Sequence, residues 1–494
     1  MASSNKKNLL LILFVVVNLI IFWRLVVNSN TDKYEQALKV AVNLDELFLP
    51  IDPSNNPTLT NAFFSNNLYS NLIEVDENNN YKLDLASRYW FDTANKKVFF
   101  ELQNSRVSSA DAAFSLKRII IQNSVLHSDF WNIICAENES SEKCSERIYV
   151  ENDLLVLKYE SEPKSKYIIP TLASVDYKIV PIAAFDVSDF RSAKIVDYKV
   201  TSGHYHMLKK ADKYFFVRNK TNLKNIYSEY ELVNMNTQKI DEVLRQNKQP
   251  EFDIISSTIK LLNTNYIQLK KSNWEIFSTH NINITMLVFS KNGIEKTTPS
   301  ERFSIAGRVA VQAKKLINIY GAKDTIEFFQ DFGQGYLSPA QSELIAAERQ
   351  KNKDFTNVNV NIGLRNVEKW KSFFESNLDI EAFKISRIPM VNTKDVKPDL
   401  YPFGNDVSFD LNLSLISYAA NIGLLDMSKA EVQEFANLTV DTDRNSFINL
   451  VHYNTLKKCL IYPMWASPYT TAFYGKYEHS LSKFNSRTLL WKIH

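Results

Sequence analysis

The sequence predicts an α/β fold made of more than one domain. Three observations carry this. Val358, Val360, Ile362 and Leu364 alternate strictly, Val367 to Leu378 follows with helical spacing that places Trp370, Phe373 and Phe374 inside, and Ile380 to Ile388 returns as a strand, which is a βαβ unit. Similar alternating stretches, with helical ones between them, recur from Leu38 to Leu415. The length of 494 residues corresponds to about three domains. With 45% hydrophobic and 12% aromatic residues there is ample side chain to fill their cores, which excludes a disordered chain.

Composition also narrows function. The net charge is +3 with both signs spread along the chain, so no basic face argues for nucleic acid. No GxSxG, HExxH or P-loop is present. Ser140-x-x-Lys143 and Ser480-x-x-Lys483 fit SxxK, but the companion SDN and KTG elements are missing and chance explains both. Among the seven histidines only His204 and His206 pair at ligand spacing, and without a third ligand they are read as turn residues, His204 as an exposed one. No enzyme activity, metal or other cofactor is expected.

The N-terminus points to export. Lys6 and Lys7 precede Leu9 to Trp23, fifteen residues apolar except Asn18, and counting through Val27 gives nineteen. Arg24 near the end can snorkel to the interface. No small-x-small cleavage site follows, which favours an uncleaved signal anchor over residues 1–30 with its positive end inside; a cleaved signal is the alternative. No cysteine precedes Cys135, which excludes a lipoprotein anchor. Cys135 and Cys144 bracket a polar loop and suit a local disulfide in an exported protein, the alternative being two surface thiols. Cys459, in an apolar helical stretch, reads as a buried thiol.

In chain order, Asn28 to Gln36 is a polar spacer. Leu38 to Val42 alternates as an edge-to-core strand. Phe63 to Ile73 has helical spacing at Phe64, Leu68 and Leu72. Leu85 to Phe91 and Val98 to Leu102 form a hairpin across the turn Asp92–Lys97. Ser108, three residues before Asp111, caps a helix through Arg118. Ile148 to Tyr159 is a second hairpin, and Tyr167 to Ala173 a short helix or turn. Ile282 to Phe289 is a strand ending in the turn Ser290–Gly293. Pro299 opens a helix to Tyr320, with Phe303, Ala306, Ala310, Ala313 and Ile317 on one face and Gly321 as its stop. Val407 to Leu415 alternates as a strand, and Asp441 to Leu460 is a helix whose acidic start suits the macrodipole.

Residue identities add a family resemblance. Leu85, Ala86, Trp90, Phe100, Leu102, Ala110, Asp111, Phe114, Ser115, Leu116, Lys117 and Arg118 resemble the signature of the family 5 extracellular solute-binding proteins, receptors of ABC importers for peptides, nickel and related solutes. The glycine-containing turn of that signature is absent, and only Gln103 to Val107 fill the gap. Leu49 to Pro53 is similar to the family's "LDP", Ile179 to Pro181 to its "ivP", and Thr201 to Tyr205 to its "GTGPY" with His204 in place of Pro. The likeness continues through Phe215–Asn219, the helix from Pro299, the helix from Asp441 and Ile461–Trp465. It spans about Leu38 to Trp465, and the order and spacing of the pieces carry it.

The resemblance implies a two-lobe periplasmic-binding-protein fold with an extra inserted domain, behind the N-terminal anchor. Lobe I is expected to be discontinuous over 38–52, 175–270 and 459–494, the inserted domain to cover 53–174, and lobe II 271–458. It further implies a monomeric extracytoplasmic receptor that closes over a small, peptide-like or other solute by hinge bending and docks on ABC permease subunits. A membrane-tethered sensor or scaffold that keeps the fold without transport is the alternative. In peptide-binding members an aspartate after the "W.aD" strand pairs with the ligand's α-ammonium. Tyr418 falls on the Trp and Asn421 on the Asp. A neutral amide forfeits the charge-assisted bond, so a neutral or differently charged ligand is expected, with Asp406 or Asp426 as substitute acids. Phe48, Tyr69, Tyr418 and Asn421 are the expected cleft residues.

Overall fold

Buried Val40, Ala41 and Val42 have neighbours on both sides, because strand Ala37–Val42 runs parallel to Glu229–Asn234 on one flank and to Ile254–Ile255 on the other. The stretch expected to run from edge to core is therefore interior. In the computed structural model, residues 37–493 are described, apart from 56–57, 77, 79, 104–106, 123–127, 137, 175, 188, 220–226, 247–249, 273, 281–282, 317–318, 328–329, 332–333, 336, 352–359, 365–382, 388–397, 407–424, 426, 439–440 and 482–488. The apolar N-terminal segment, the helix expected at Val367–Leu378 and the strand expected at Val407–Leu415 lie outside the described residues. No helix among the described residues is long and apolar enough to cross a membrane.

Three sheets organise the described chain. The first has seven strands in the order Trp274–Ser278, Thr470–Tyr474, Ile254–Ile255, Ala37–Val42, Glu229–Asn234, Lys213–Arg218 and Tyr205–Lys210. The second has six, in the order Lys323–Asp324, Ile461–Ser467, Asn283–Phe289, Leu400–Asp406, Val360–Leu364 and Phe383–Arg387. Val360–Leu364 and Phe383–Arg387 lie parallel and adjacent, as the βαβ reading expects. The third sheet has four strands, Ala86–Asp92, Lys97–Leu102, Leu154–Lys158 and Ile148–Glu151. Both expected hairpins are present in it. The second turns through Asn152 and Asp153 at φ 51° and 63°, the left-handed pair that matches strand twist.

The unit around the four-stranded sheet is pinned to the seven-stranded one by a buried ion pair. Helix Ser109–Gln122 starts with the expected reciprocal cap, Asp111 N–H donating to Ser108 Oγ at 3.2 Å and Ser108 N–H to Asp111 Oδ2 at 2.8 Å. It carries Arg118, whose Nη1 and Nη2 donate to the two Asp52 oxygens at 2.6 Å each. Arg118 is 2% exposed, also reaches Ser54 Oγ at 3.2 Å and lies 5.0 Å from the Phe185 ring centroid. Burial pushes the Asp52 carboxyl up, but the Arg118 hydrogen bonds and charge outweigh it and hold the group below its usual range.

Several elements differ from the sequence reading. The helix expected over Phe63–Ile73 spans Leu59–Leu68, since Thr58 caps it and Tyr69 is already extended; Thr60 through Leu68 are all buried, so no amphipathic stripe marks its face. Asn66 and Asn67 turn their amides back onto the carbonyls of Ala62 and Phe63 at 2.7 and 2.8 Å, satisfying the polar groups that this burial would strand. Ser290 caps a short helix, Lys291–Lys296, where a turn was expected, and a Cβ at Gly293 would meet the Asp399 carbonyl oxygen at 2.2 Å. The helix from Pro299 is described over Pro299–Leu316, and Ile319, expected within it, forms a bridge to Leu262 instead. Helix Asp441–Lys457 stops before Cys459, which sits at φ 47°; the Lys458 carbonyl is taken by Arg302 at 3.0 and 2.8 Å. Cys459 is fully buried, and burial pushes its thiol up to about 12. Nor is His204 exposed. It is 8% exposed with its ring 4.6 Å from Trp491, because Gly203 lets the turn press on helix Leu59–Leu68: its N–H donates to Leu68 O at 2.9 Å, and a Cβ would lie 2.6 Å from that oxygen.

Cys135 and Cys144 form the expected disulfide, nine positions apart. Replacing both by serine reopens a loop of about ten residues and should lower unfolding stability by about 2–3 kcal/mol on a loop-entropy basis, read from urea midpoints. Substituting Arg118→Met leaves the Asp52 carboxylate buried and unpaired and should cost about 3–5 kcal/mol, and R118M/D52L should cost less than R118M alone. The folded-state pKa of Asp52 lies below the unfolded one. The pair's contribution is therefore complete above about pH 4 and is lost as the pH falls through the lower folded value. The gap between wild type and R118M/D52L should narrow on acidification accordingly, and a gap unchanged between neutral and strongly acidic pH would contradict it.

Candidate ligand-binding site

The first sheet carries a change of winding direction. From Ala37–Val42 one parallel neighbour, Glu229–Asn234, lies to one side and the other, Ile254–Ile255, to the opposite side, with helix Thr237–Arg245 between them in sequence. In open α/β sheets such a switch leaves a crevice outside the carboxyl ends of the strands, which is where ligands bind. The residues at those three carboxyl ends are polar and tied together. Asn43 N–H donates to Thr258 Oγ1 at 3.2 Å, Thr258 Oγ1 lies 2.7 Å from Ser256 Oγ, and Ser256 Oγ donates to Ala41 O at 2.9 Å. Leu44 N–H donates to Asn234 Oδ1 at 3.0 Å, and Asn234 Nδ2 to Asp45 Oδ1 at 2.8 Å. Asp45 is exposed at this rim, with Glu46 exposed beside it. The arrangement offers hydroxyls, amides and carboxylates on a hydrogen-bonded frame, which suits hydrogen bonding to a polar small molecule rather than bond making. Among the described residues no group of three or more His, Cys, Asp or Glu side chains could hold a metal ion.

The loop beyond this rim carries Phe48, which is 41% exposed. Its backbone is held on both sides by one buried amide: Phe48 N–H donates to Asn61 Oδ1 at 3.1 Å, and Asn61 Nδ2 donates to Phe48 O at 2.6 Å. An aromatic ring is thus offered to solvent from a clamped loop. Tyr69, at the other end of the same helix, is 1% exposed and belongs to the core. Burial raises its hydroxyl pKa well above the usual value, with Tyr198 and Asp52 adding to the effect. Tyr418 and Asn421 lie outside the described residues, so the structure brings Phe48 and Tyr69 to opposite ends of one helix and leaves the other pair untouched. Asp426 is likewise outside, and Asp406 ends strand Leu400–Asp406.

The join between the two large sheets was not legible in the sequence. Among the described strands the chain passes from the first sheet to the second between Ser278 and Asn283, and back between Ser467 and Thr470. The two crossings lie side by side. Thr279 N–H donates to Tyr469 O at 2.9 Å, and Tyr469 N–H donates to Thr279 Oγ1 at 2.9 Å. Asn283 Nδ2 donates to the Tyr469 hydroxyl at 2.8 Å. Leu262 and Ile319 also form a bridge, Tyr320 N–H donates to Leu261 O at 3.0 Å, and the Tyr266 and Tyr320 rings stack at 3.7 Å. Strand Trp274–Ser278, which leads into the first crossing, carries little sequence signal, because its five residues sit between a lysine-rich helix end and a polar loop.

Comparison with solved structures follows from this architecture. The chain superposes over 93% of its length on 99% of the Listeria monocytogenes OppA bound to peptide, with TM-score 0.69 and 13% identity. It covers 98% of the Escherichia coli murein tripeptide binding protein MppA at TM-score 0.69 and 12% identity. The same values, 98% coverage, TM-score 0.69 and 12% identity, hold for AgaA from A. tumefaciens R10 in complex with agropinic acid. The chain has the periplasmic-binding-protein fold. No protein-family model matches the sequence, and no curated protein matches it significantly. At this identity the binding-protein fold is shared while side chains are almost wholly replaced, so the geometry above, rather than inherited residues, defines the candidate site.

Thr279→Val removes the acceptor of the buried Tyr469 N–H and should lower stability by about 1–3 kcal/mol in urea unfolding, while Thr279→Ser should stay near wild type. Equal losses in both variants would mean that packing of the Thr279 methyl, and not its hydroxyl, holds the crossings together.

Proposed function

We propose that the protein is the extracytoplasmic solute-binding receptor of an ABC importer. The observation that carries this reading is the pair of adjacent crossings tied by Thr279 and Tyr469. Two bodies joined by short parallel links can bend at those links and trap a small molecule between them. The rim at the carboxyl ends of Ala37–Val42, Glu229–Asn234 and Ile254–Ile255 faces the place where a ligand would enter. The structural neighbours described as binding peptide support a peptide-like solute, and the agropinic acid complex supports a wider range.

In this reading lobe I is the unit of the seven-stranded sheet, lobe II that of the six-stranded sheet, and the unit of the four-stranded sheet is an insertion into lobe I. The lobe boundaries follow the crossings, at about 279–282 and 468–469, since Trp274–Ser278 pairs in the first sheet and Ile461–Ser467 in the second. Phe48 and Asp45 contribute from lobe I, and Tyr418 and Asn421 from lobe II. Tyr69, buried, supports the core beneath. The neutral Asn421 turns the site away from free N-terminal ammonium groups, unless Asp45 takes that role. The buried disulfide suits an oxidising compartment, and the apolar N-terminal segment would tether a monomer beside its permease, raising the local concentration of loaded receptor.

Native mass spectrometry of the full chain released from mild detergent tests the proposal. A retained small molecule of defined mass is expected, and Phe48→Ala should reduce its occupancy. A clean ligand-free mass, with no thermal shift across peptide, opine, sugar and metal-ion panels, would count against a transport receptor.

A further inference from the structure

Resting on the two-lobe reading, the inserted domain does more than decorate lobe I: it grips lobe II. Helix Lys429–Asn437, opened by the capping box of Ser428 and Glu431, lies against helix Ser128–Ile134 and the turn Glu162–Tyr167 of the insert. Gln433 Nε2 donates to Asn132 Oδ1 at 2.7 Å, and Lys164 Nζ donates to Gln433 Oε1 while pairing with Glu160 at 2.8 Å. Ser161 Oγ donates to Asn437 Oδ1 at 3.0 Å, and Lys166 Nζ to the Leu438 carbonyl at 2.5 Å. Arg444 places its guanidinium 5.4 Å from the Tyr167 ring and 5.8 Å from Phe435.

Beneath this polar frame the contact is apolar and buried. Val432, Phe435 and Ala436 of lobe II and Phe130, Ile133 and Tyr167 of the insert belong to one continuous buried cluster. Lys164 is 2% exposed, and a lysine is taken this far from water only where its charge and donors are met. A contact that merely brushed when a ligand drew the lobes together would be wet and polar, as transient inter-domain surfaces are. This one has the make-up of a core. Since Arg118 and Asp52 bind the same insert to lobe I, the insert bridges both lobes.

We propose that the inserted domain is a clasp that fixes lobe II against lobe I, so that the lobes move apart for ligand exchange only when the clasp opens. A conformational equilibrium held by protein contacts shifts only by a ligand's differential affinity for the two states, so a ligand acts here on an arrangement that the insert already holds.

Disulfide trapping in the full chain tests this. Ser161→Cys and Asn437→Cys place two thiols where the native side chains touch, while Cys135 and Cys144 are bridged and Cys459 is buried. Cross-linking by a mild oxidant is followed by mass, in chain stripped of small molecules as verified by native mass spectrometry and in chain as purified. The expected result is complete cross-linking at the same rate in both. Adding Phe435→Ala should slow it about tenfold or more, a shift of at least about 1.4 kcal/mol in the resting equilibrium. Cross-linking confined to chain that carries a retained molecule overturns the clasp and leaves the receptor reading standing, and so does no cross-linking in either preparation while a molecule is retained. Equal cross-linking in a chain that never retains a molecule supports the clasp and tells against the receptor reading alone.

Discussion

A buried ion pair between two segments far apart in sequence, Arg118 with Asp52, holds the architecture together. Neither charge could be taken from water alone; together, with two hydrogen bonds of 2.6 Å and Ser54 as a third partner, they offset that cost. Asp52 lies just after the rim loop that carries Phe48, and Arg118 lies on the capped helix Ser109–Gln122. The pair therefore fixes where the unit of the four-stranded sheet sits relative to the rim. It also sets the footing from which that unit meets helix Lys429–Asn437.

Around that pair several buried polar groups are met locally. Asn61 clamps the backbone of Phe48, Asn66 and Asn67 satisfy carbonyls within their own helix, and Asn67 Oδ1 also accepts from Leu490 N–H at 2.8 Å, drawing the C-terminal residues onto helix Leu59–Leu68. Asparagine fills these roles in a chain with ten glycines. The two large sheets are joined by two short crossings, tied by Thr279 and Tyr469 and by Asn283 on the Tyr469 hydroxyl, and the Tyr320–Leu261 backbone bond and the stacked Tyr266 and Tyr320 rings add further contacts between their units.

Several strands and the capped helix at Ser109 are legible in the sequence because period and cap chemistry are local: the alternation in Val360–Leu364 and the Ser108–Asp111 spacing each act within a few residues. The same reading misjudges facing. Tyr69 and His204 are placed by residue type and turn context, yet both are buried, because what covers a side chain comes from elsewhere in the chain: the Trp491 ring lies tilted against His204, and Asp52 and Tyr198 lie near Tyr69. Helix Leu59–Leu68 was misplaced for a related reason, since a helix buried all round has no polar face to mark its register.

The amino-acid sequence by itself determined the α/β class, the βαβ strand pair and the likeness to solute-binding proteins, and it pointed to the Cys135–Cys144 bridge that the structure shows; all of these rest on short spacings or on the order of pieces along the chain. Only the tertiary structure decided that Asp52 meets Arg118 across 66 positions, that Thr279 meets Tyr469 across 190, and that Gln433 meets Asn132 across 301. Such contacts leave no local signal. Each partner is an ordinary polar residue until folding removes water from both at once, and the energy that makes the pairing specific exists only in the packed state.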